Sequence, residues 1–236
     1  MAKSVILTAD KVNRRKKTWR IAKLSLLLLL LLLIVAYIIL GIIYNIGNFT
    51  VILDSNKTLE SGIAIYESLD DPTPKRKLQA RMVSFMDNIS WKWLPNDIDD
   101  KKYEGTHNGD NYIAYSFYIE NQGSQELHYW YELNVDEVMR NVDEAIRIMI
   151  FQNGNPTIYA KENELAGAPE EGTVAFIKNK GNSIILEKRS NFLPGDLDHY
   201  TIVVYLEGDD PDCVDALLGG GIKMHMKVRE EHIENK

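Results

Sequence analysis

The sequence predicts a mainly β fold: an antiparallel β-sandwich of jelly-roll or Greek-key type with short helices, preceded by one N-terminal transmembrane helix. Three observations carry this. An uncharged, leucine-rich run fills residues 24–44. The chain beyond it alternates apolar and polar residues with a period of two, the repeat of a strand with one wet face. Clusters of Gly, Asn, Asp and Pro break that alternation, as expected for many short strands joined by turns.

The run from Leu24 to Tyr44 reads LSLLLLLLLLIVAYIILGIIY. A helix needs about 20 apolar residues to cross a hydrocarbon core, and a helix apolar on every face has no side for water. Ahead of it stand Lys3, Lys11, Arg14, Arg15, Lys16, Lys17, Arg20 and Lys23 against the single acid Asp10. Basic flanks stay in the cytoplasm. The expectation is a cytoplasmic basic tail (residues 1–23), a signal-anchor helix (24–44) and an extracellular β-sandwich (45–236). A cleaved signal peptide is the alternative. Its apolar core is usually 7–15 residues with a small-x-small site behind it, and residues 41–47 offer no such site.

Charge divides along the same line. Of the 27 basic and 34 acidic residues, 19 and 33 follow residue 23, a balance of −14. An acidic exterior excludes nucleic acid as a partner, because phosphate binding needs Lys and Arg patches. The chain has one cysteine, Cys213, so no internal disulfide forms. An exported domain without disulfides fits a bacterial surface.

The expected strands are, in order, residues 48–53 (NFTVIL), 62–66, 81–86, 111–119 (NYIAYSFYI), 127–133 (LHYWYEL), 146–150, 157–160, 173–177, 183–186, 199–206 (HYTIVVYL) and 222–228 (IKMHMKV). Residues 111–119 are apolar on both faces, which marks a central strand. The segment QNGN after residue 150 predicts a hairpin turn. Val135, Val138, Met139 and Val142 recur at helical spacing, so a short helix is expected there behind Asn134. Residues 70–77, 95–110 and 162–172 are expected to be poorly ordered.

The stretch YLEGDDPDCVDALLGGGIKMHMKV, residues 205–228, concentrates the chemistry. Asp209 or Asp210 can cap a short helix with Pro211 in its first turn, and the glycines end it. Asp209, Asp210, Asp212 and Asp215 are hard oxygen ligands in one loop, the candidate calcium ligands. Asp97, Asp99 and Asp100 form a second acidic group, and Asp196 with Asp198 a third. None follows the EF-hand order. No catalytic residue and no cofactor are expected. His-Glu-x-x-His and Gly-x-Ser-x-Gly are absent. In LGGGIK, Ile222 separates glycine from lysine and no Ser or Thr follows, so it is no phosphate loop. His128, His199 and His225 fall on or beside expected strands, where they can converge only if the fold brings them together.

The strings YIAYSFYIENQGSQELHYWYEL, VDEAIRIMIFQNG and YTIVVYLEGDDPDC, with glycines and a last strand behind them, resemble the TasA/camelysin-type surface proteins of Gram-positive bacteria. The resemblance spans roughly residues 49–228. It implies a jelly-roll-like sandwich on an exported protein of the cell surface or biofilm matrix, with matrix, adhesion or interaction as its role and no enzymatic activity. It also implies two alternatives: a camelysin-like metal-dependent surface endopeptidase, and a secreted fibre-forming subunit. In the second, the strand from Asn48 to Leu53 would add to a neighbouring subunit once the helix is cleaved.

Overall fold

The computed structural model describes residues 9–44, 49–53, 62–83, 85–163 and 167–232. The chain divides into two units, Met1–Ile46 and Gly47–Lys236.

The described residues of the first unit form one helix, α1 (Ala9–Tyr44). Its stretch from Lys16 to Leu40 is long and apolar enough to cross a membrane. The leucines from Leu24 to Leu40 are exposed on every side, so this stretch of the helix has no polar face. The Thr18 and Ser25 hydroxyls donate back to the Arg14 and Ala22 carbonyls at 3.1 and 2.9 Å, which satisfies them without water. The helix also runs back through the basic residues. The boundary expected at residue 23 is thus a change of charge along one helix.

The second unit holds β1 (Phe49–Leu53), β2 (Ile63–Tyr66), β3 (Lys77–Gln79), β4 (Gly105–Thr106), β5 (Tyr112–Asn121), β6 (Leu127–Met139), β7 (Ile146–Gln152), β8 (Asn155–Ala160), β9 (Val174–Ala175), β10 (Ser183–Phe192), β11 (Leu197–Leu206) and β12 (Gly221–His232). One sheet has the order β10-β6-β12-β1-β3. The other has β2-β5-β11-β7-β8-β9, with β4 also on β5. Pairing is antiparallel except for β1 with β12 and β8 with β9. The inner faces share one core. Val51, Leu133 and Met226 of the first sheet meet Phe117, Ile148 and Ile202 of the second. This is the expected sandwich.

The strand apolar on both faces has a physical reason. The outer face of the second sheet is also covered: Ile89, Leu94 and Ile98 pack on Ala114, Met149 and Val203. Residues 95–110, expected to be poorly ordered, therefore form part of a strap over the sheet. The described parts of 70–77 and 162–172 are likewise tied by turns. The Ser68 hydroxyl accepts from the Asp70 amide at 3.0 Å, and the Asn163 carbonyl from the Gly167 amide at 2.8 Å.

The helix expected at residues 135–142 is instead the end of β6, a bulge and a turn. Val138 pairs with Ile222 and Val135 with Met224, while Glu137 faces Lys223 and Asp136 is the extra residue. A bulge adds one residue to the strand period of two. The spacing of Val135 and Val138 becomes three, which imitates a helix. Arg140 and Asn141 then turn the chain with φ of 57° and 53°, and a 3-10 turn over Val142–Glu144 follows. The strand expected at 81–86 is also displaced. The ladder is β3, and behind it the chain crosses between sheets. Its amides bond side chains: Arg81 to the Thr106 hydroxyl at 2.9 Å, Asp87 to the Asn111 amide oxygen at 3.0 Å.

β1 is paired on both edges within its own sheet, in register Val51↔Met226 and Val51↔Leu78. Val51 is buried at the centre. Asn48, the first residue of the expected strand, lies outside the described residues.

Candidate functional site

The acid-rich connection between β11 and β12 has no capped helix at Asp209 or Asp210. It is a series of turns with one 3-10 turn at Asp215–Leu217. The reason lies on β7. Arg147 stands in the isoleucine-rich run IRIMI, on the outer face, and is 2 % exposed. Its guanidinium donates to Asp210 at 2.6 Å, to Glu170 at 2.5 Å and to the Ile146 carbonyl at 3.2 Å. Burial works against the charge, but the two carboxylates outweigh it and hold the Arg147 pKa above its ordinary value. A buried charge requires such partners. Asp210 is therefore pulled inward, and its second oxygen accepts the Asp212 amide at 2.8 Å. The lone arginine among isoleucines is the sequence signal that points to a buried acid elsewhere.

The other loop acids take separate partners. Asp209 accepts from Ser90 at 3.1 Å, and Asp212 from the Asn163 side-chain amide at 2.7 Å. Asp215 is exposed. The four expected calcium ligands thus divide among an arginine, a serine, an asparagine and solvent. Among the described residues, no group of three or more His, Cys, Asp or Glu side chains is placed to hold a metal ion. Asp97 and Asp100 surround Lys102, at 2.5 and 3.8 Å.

Cys213 is half-buried, and the Asn88 amide reaches its sulfur at 3.6 Å. Burial raises the thiol pKa, which keeps it protonated and poorly nucleophilic.

The three strand histidines do not converge. His128 Nδ1 accepts from the Asn191 amide at 3.1 Å. His225 lies 2.8 Å from Asp136 on the same sheet. His199 is on the other sheet, buried beside the Tyr118 ring.

Asp198 joins the two sheets. It is buried, and accepts from Tyr129 of β6, from Asn153 at 2.7 Å and from Arg189 of β10 at 3.1 Å. The Tyr129 and Tyr200 hydroxyls are 2.8 Å apart. Burial first, then the neighbouring Tyr200 phenol and the Asp198 carboxylate, drive the Tyr129 pKa far above its ordinary value. The phenol stays protonated and acts as a fixed donor. This network fills its own hydrogen bonds and works as a clamp.

A cleft of about 540 Å³ opens beside the end of β6. Val135, Val138, Phe176 and Ile184 form its apolar part, and Lys161 and Asp143 stand on its wall. Lys161 bridges Asp143 and Glu144 at 2.7 and 2.6 Å. Its described lining has no histidine, cysteine or hydroxyl side chain.

No family model matches the chain, and no curated protein matches it. Solved structures similar to it include two of β-glucosidase from Kluyveromyces marxianus, one selenomethionine-labelled and one in complex with glucose. Each is 10% identical. The first has a TM-score of 0.24 over 74% of this chain, the second 0.26 over 78%. This chain spans 18% of the length of each.

Proposed function

We propose that the chain is a single-pass, membrane-anchored protein of the cell surface, with its N-terminus in the cytoplasm. Its β-sandwich then acts outside the cell as a non-enzymatic matrix, adhesion or interaction module. The observation that carries this reading is β1. The apolar helix ends at Tyr44 and β1 begins at Phe49, and β1 is already held on both edges by its own sheet. An anchored domain with its first strand occupied supports a chain that works while tethered rather than one that donates that strand. The TasA/camelysin resemblance supports the surface role, and the eight basic residues ahead of the apolar run support the orientation.

The test is the N-terminus of the mature protein, read by mass spectrometry from cells, together with protease shaving of intact cells. A start at Met1 or Ala2 and loss of the β-sandwich on shaving are expected. A start near residues 45–50 would replace the anchored reading with the secreted fibre subunit. The endopeptidase alternative is tested on the same preparation: stoichiometric zinc and chelator-sensitive casein cleavage would establish it.

A further inference from the structure

Five Cα–Cα steps separate Tyr44 from Phe49, a reach of at most ~18 Å. Phe49 pairs with Met224 in the parallel ladder, and β12 begins three residues earlier at Gly221, opposite Met139. The end of the sandwich that carries Met139 and Gly221 is therefore the end next to the covalent tether. At this same end β11 finishes at Leu206 opposite Ile146, and the Glu207 amide bonds the Ala145 carbonyl at 2.9 Å.

This end exposes large apolar side chains. Leu218 is 62 % exposed, Val214 53 % and Met139 39 %. Trp93 and Trp91, in the segment tied to the end of β11, are 74 % and 52 % exposed. They sit on a rigid base, because the Trp91 amide donates to buried Glu207 at 3.3 Å and the Gly208 amide to the Ile89 carbonyl at 2.9 Å. Arg140 points its guanidinium at the Leu218 carbonyl, 3.0 Å away. Among the described residues, the far end (122–126, 153–154 and 193–197) exposes Leu193 and Leu197.

We infer that this end of the sandwich rests on the lipid headgroup layer of the membrane that holds α1. Leu218, Val214 and Met139 enter the interface, and Trp91 and Trp93 lie at headgroup depth, where the indole ring is favoured. The occupant is lipid because the tether keeps this surface within reach of a bilayer whatever else the cell offers. Asp209, Asp212 and Asp215 border the patch, so the contact is apolar and does not depend on anionic lipid. The inference rests on the anchored reading above.

The test uses the full chain in phosphatidylcholine vesicles. Cys213→Ser removes the native thiol, and Leu218→Cys or Ser124→Cys carries a nitroxide. Power-saturation spectroscopy compares collision with oxygen against a water-soluble nickel chelate. The expected result is a label at 218 that favours oxygen several-fold more than the label at 124, with no increase when phosphatidylglycerol is added. A label at 218 as aqueous as that at 124, in a chain that an alkaline wash leaves in the vesicles, would overturn the docked end alone. Extraction of the chain by the wash would overturn the anchor and the docked end together.

Discussion

Arg147 and Asp210 form an ion pair 2.6 Å long, with both side chains withdrawn from water. The pair joins the start of β7 to the connection between β11 and β12. It accounts for the inward position of one of the loop acids. Asp210→Ala leaves the guanidinium with the Ile146 carbonyl and one carboxylate, Glu170, whose side chain is half-exposed. Breaking a buried pair from one side costs about 3–5 kcal/mol. The expected outcome is a loss of that order in urea unfolding of the detergent-solubilised chain. The double change Arg147→Met with Asp210→Leu is expected to recover most of it, because no buried charge remains. A single variant as stable as the parent would show that the pair contributes nothing.

The same geometry predicts the response to calcium. Both Asp210 oxygens are engaged, one by Arg147 and one by the Asp212 amide. An ion would have to displace a buried cation to gather Asp209, Asp210, Asp212 and Asp215. The melting temperature is expected to be the same in millimolar calcium and in chelator. A clear rise with calcium would require the loop to rearrange around the ion.

Much of this architecture was legible because strand and turn chemistry agree locally. HYTIVVYL reads as a strand whichever face is buried. Asn153 and Gly154 take φ of 53° and 83°, the paired left-handed conformations that a two-residue hairpin loop needs. The bulge at Asp136 was not legible, because an inserted residue erases the period that identifies a strand. Nor was the strap over the outer sheet face. Ile89, Leu94 and Ile98 fall at intervals of five and four, which is no strand period, and their burial depends on a partner sheet formed by distant strands. The role of Asp210 has the same origin: its partner is 63 residues away.

His199 predicts a pH effect. Burial lowers its pKa below the ordinary 6.5, and nearby Lys101 and His107 act in the same direction, against Asp99 and Asp100. Its Nε2 is buried without a hydrogen-bond partner among the described residues. With the folded pKa depressed, the unfolded chain takes the proton first. The histidine's contribution is complete above pH 6.5 and falls as the pH drops through 6.5 towards the folded value. His199→Phe keeps a ring beside Tyr118. The variant is expected to lose less stability than the parent between pH 7 and pH 5 in parallel urea titrations. Equal slopes would remove His199 as the cause.

Tyr129 tests the clamp between the sheets. Tyr129→Phe preserves the edge contact with the Phe192 ring, 5.0 Å between centroids. It removes the donor to Asp198 and the partner of the Tyr200 hydroxyl. A buried polar group left unsatisfied costs about 1–3 kcal/mol. A loss in that range is expected in urea unfolding, and Tyr129→Phe is expected to cost less in an Asp198→Asn background than in the parent, whereas Asp198→Asn carries a further cost of its own through Asn153 and Arg189. Full additivity would mean that the two groups act independently.

The three glycines behind Leu218 differ in what surrounds them, and the differences rank their substitutions. Gly219 has φ of 72° and open space around it, so Gly219→Ala meets only the left-handed strain of about 1 kcal/mol. A Cβ on Gly221 would lie 2.8 Å from the Met139 methyl, the mobile end of a flexible side chain that can swing aside. A Cβ on Gly220 would lie 2.8 Å from the Leu217 carbonyl oxygen and 3.0 Å from that of Met139. Those are backbone atoms of a turn and a strand end, and neither moves without breaking the pairing of Met139 with Gly221. Overpacking of this kind costs about 1–3 kcal/mol. Gly220→Ala is therefore expected to be the most damaging of the three in urea unfolding, and Gly221→Ala close to the parent. Were Gly221→Ala the worst, the close approach of the two backbones at Gly220 would not be the reason for the run.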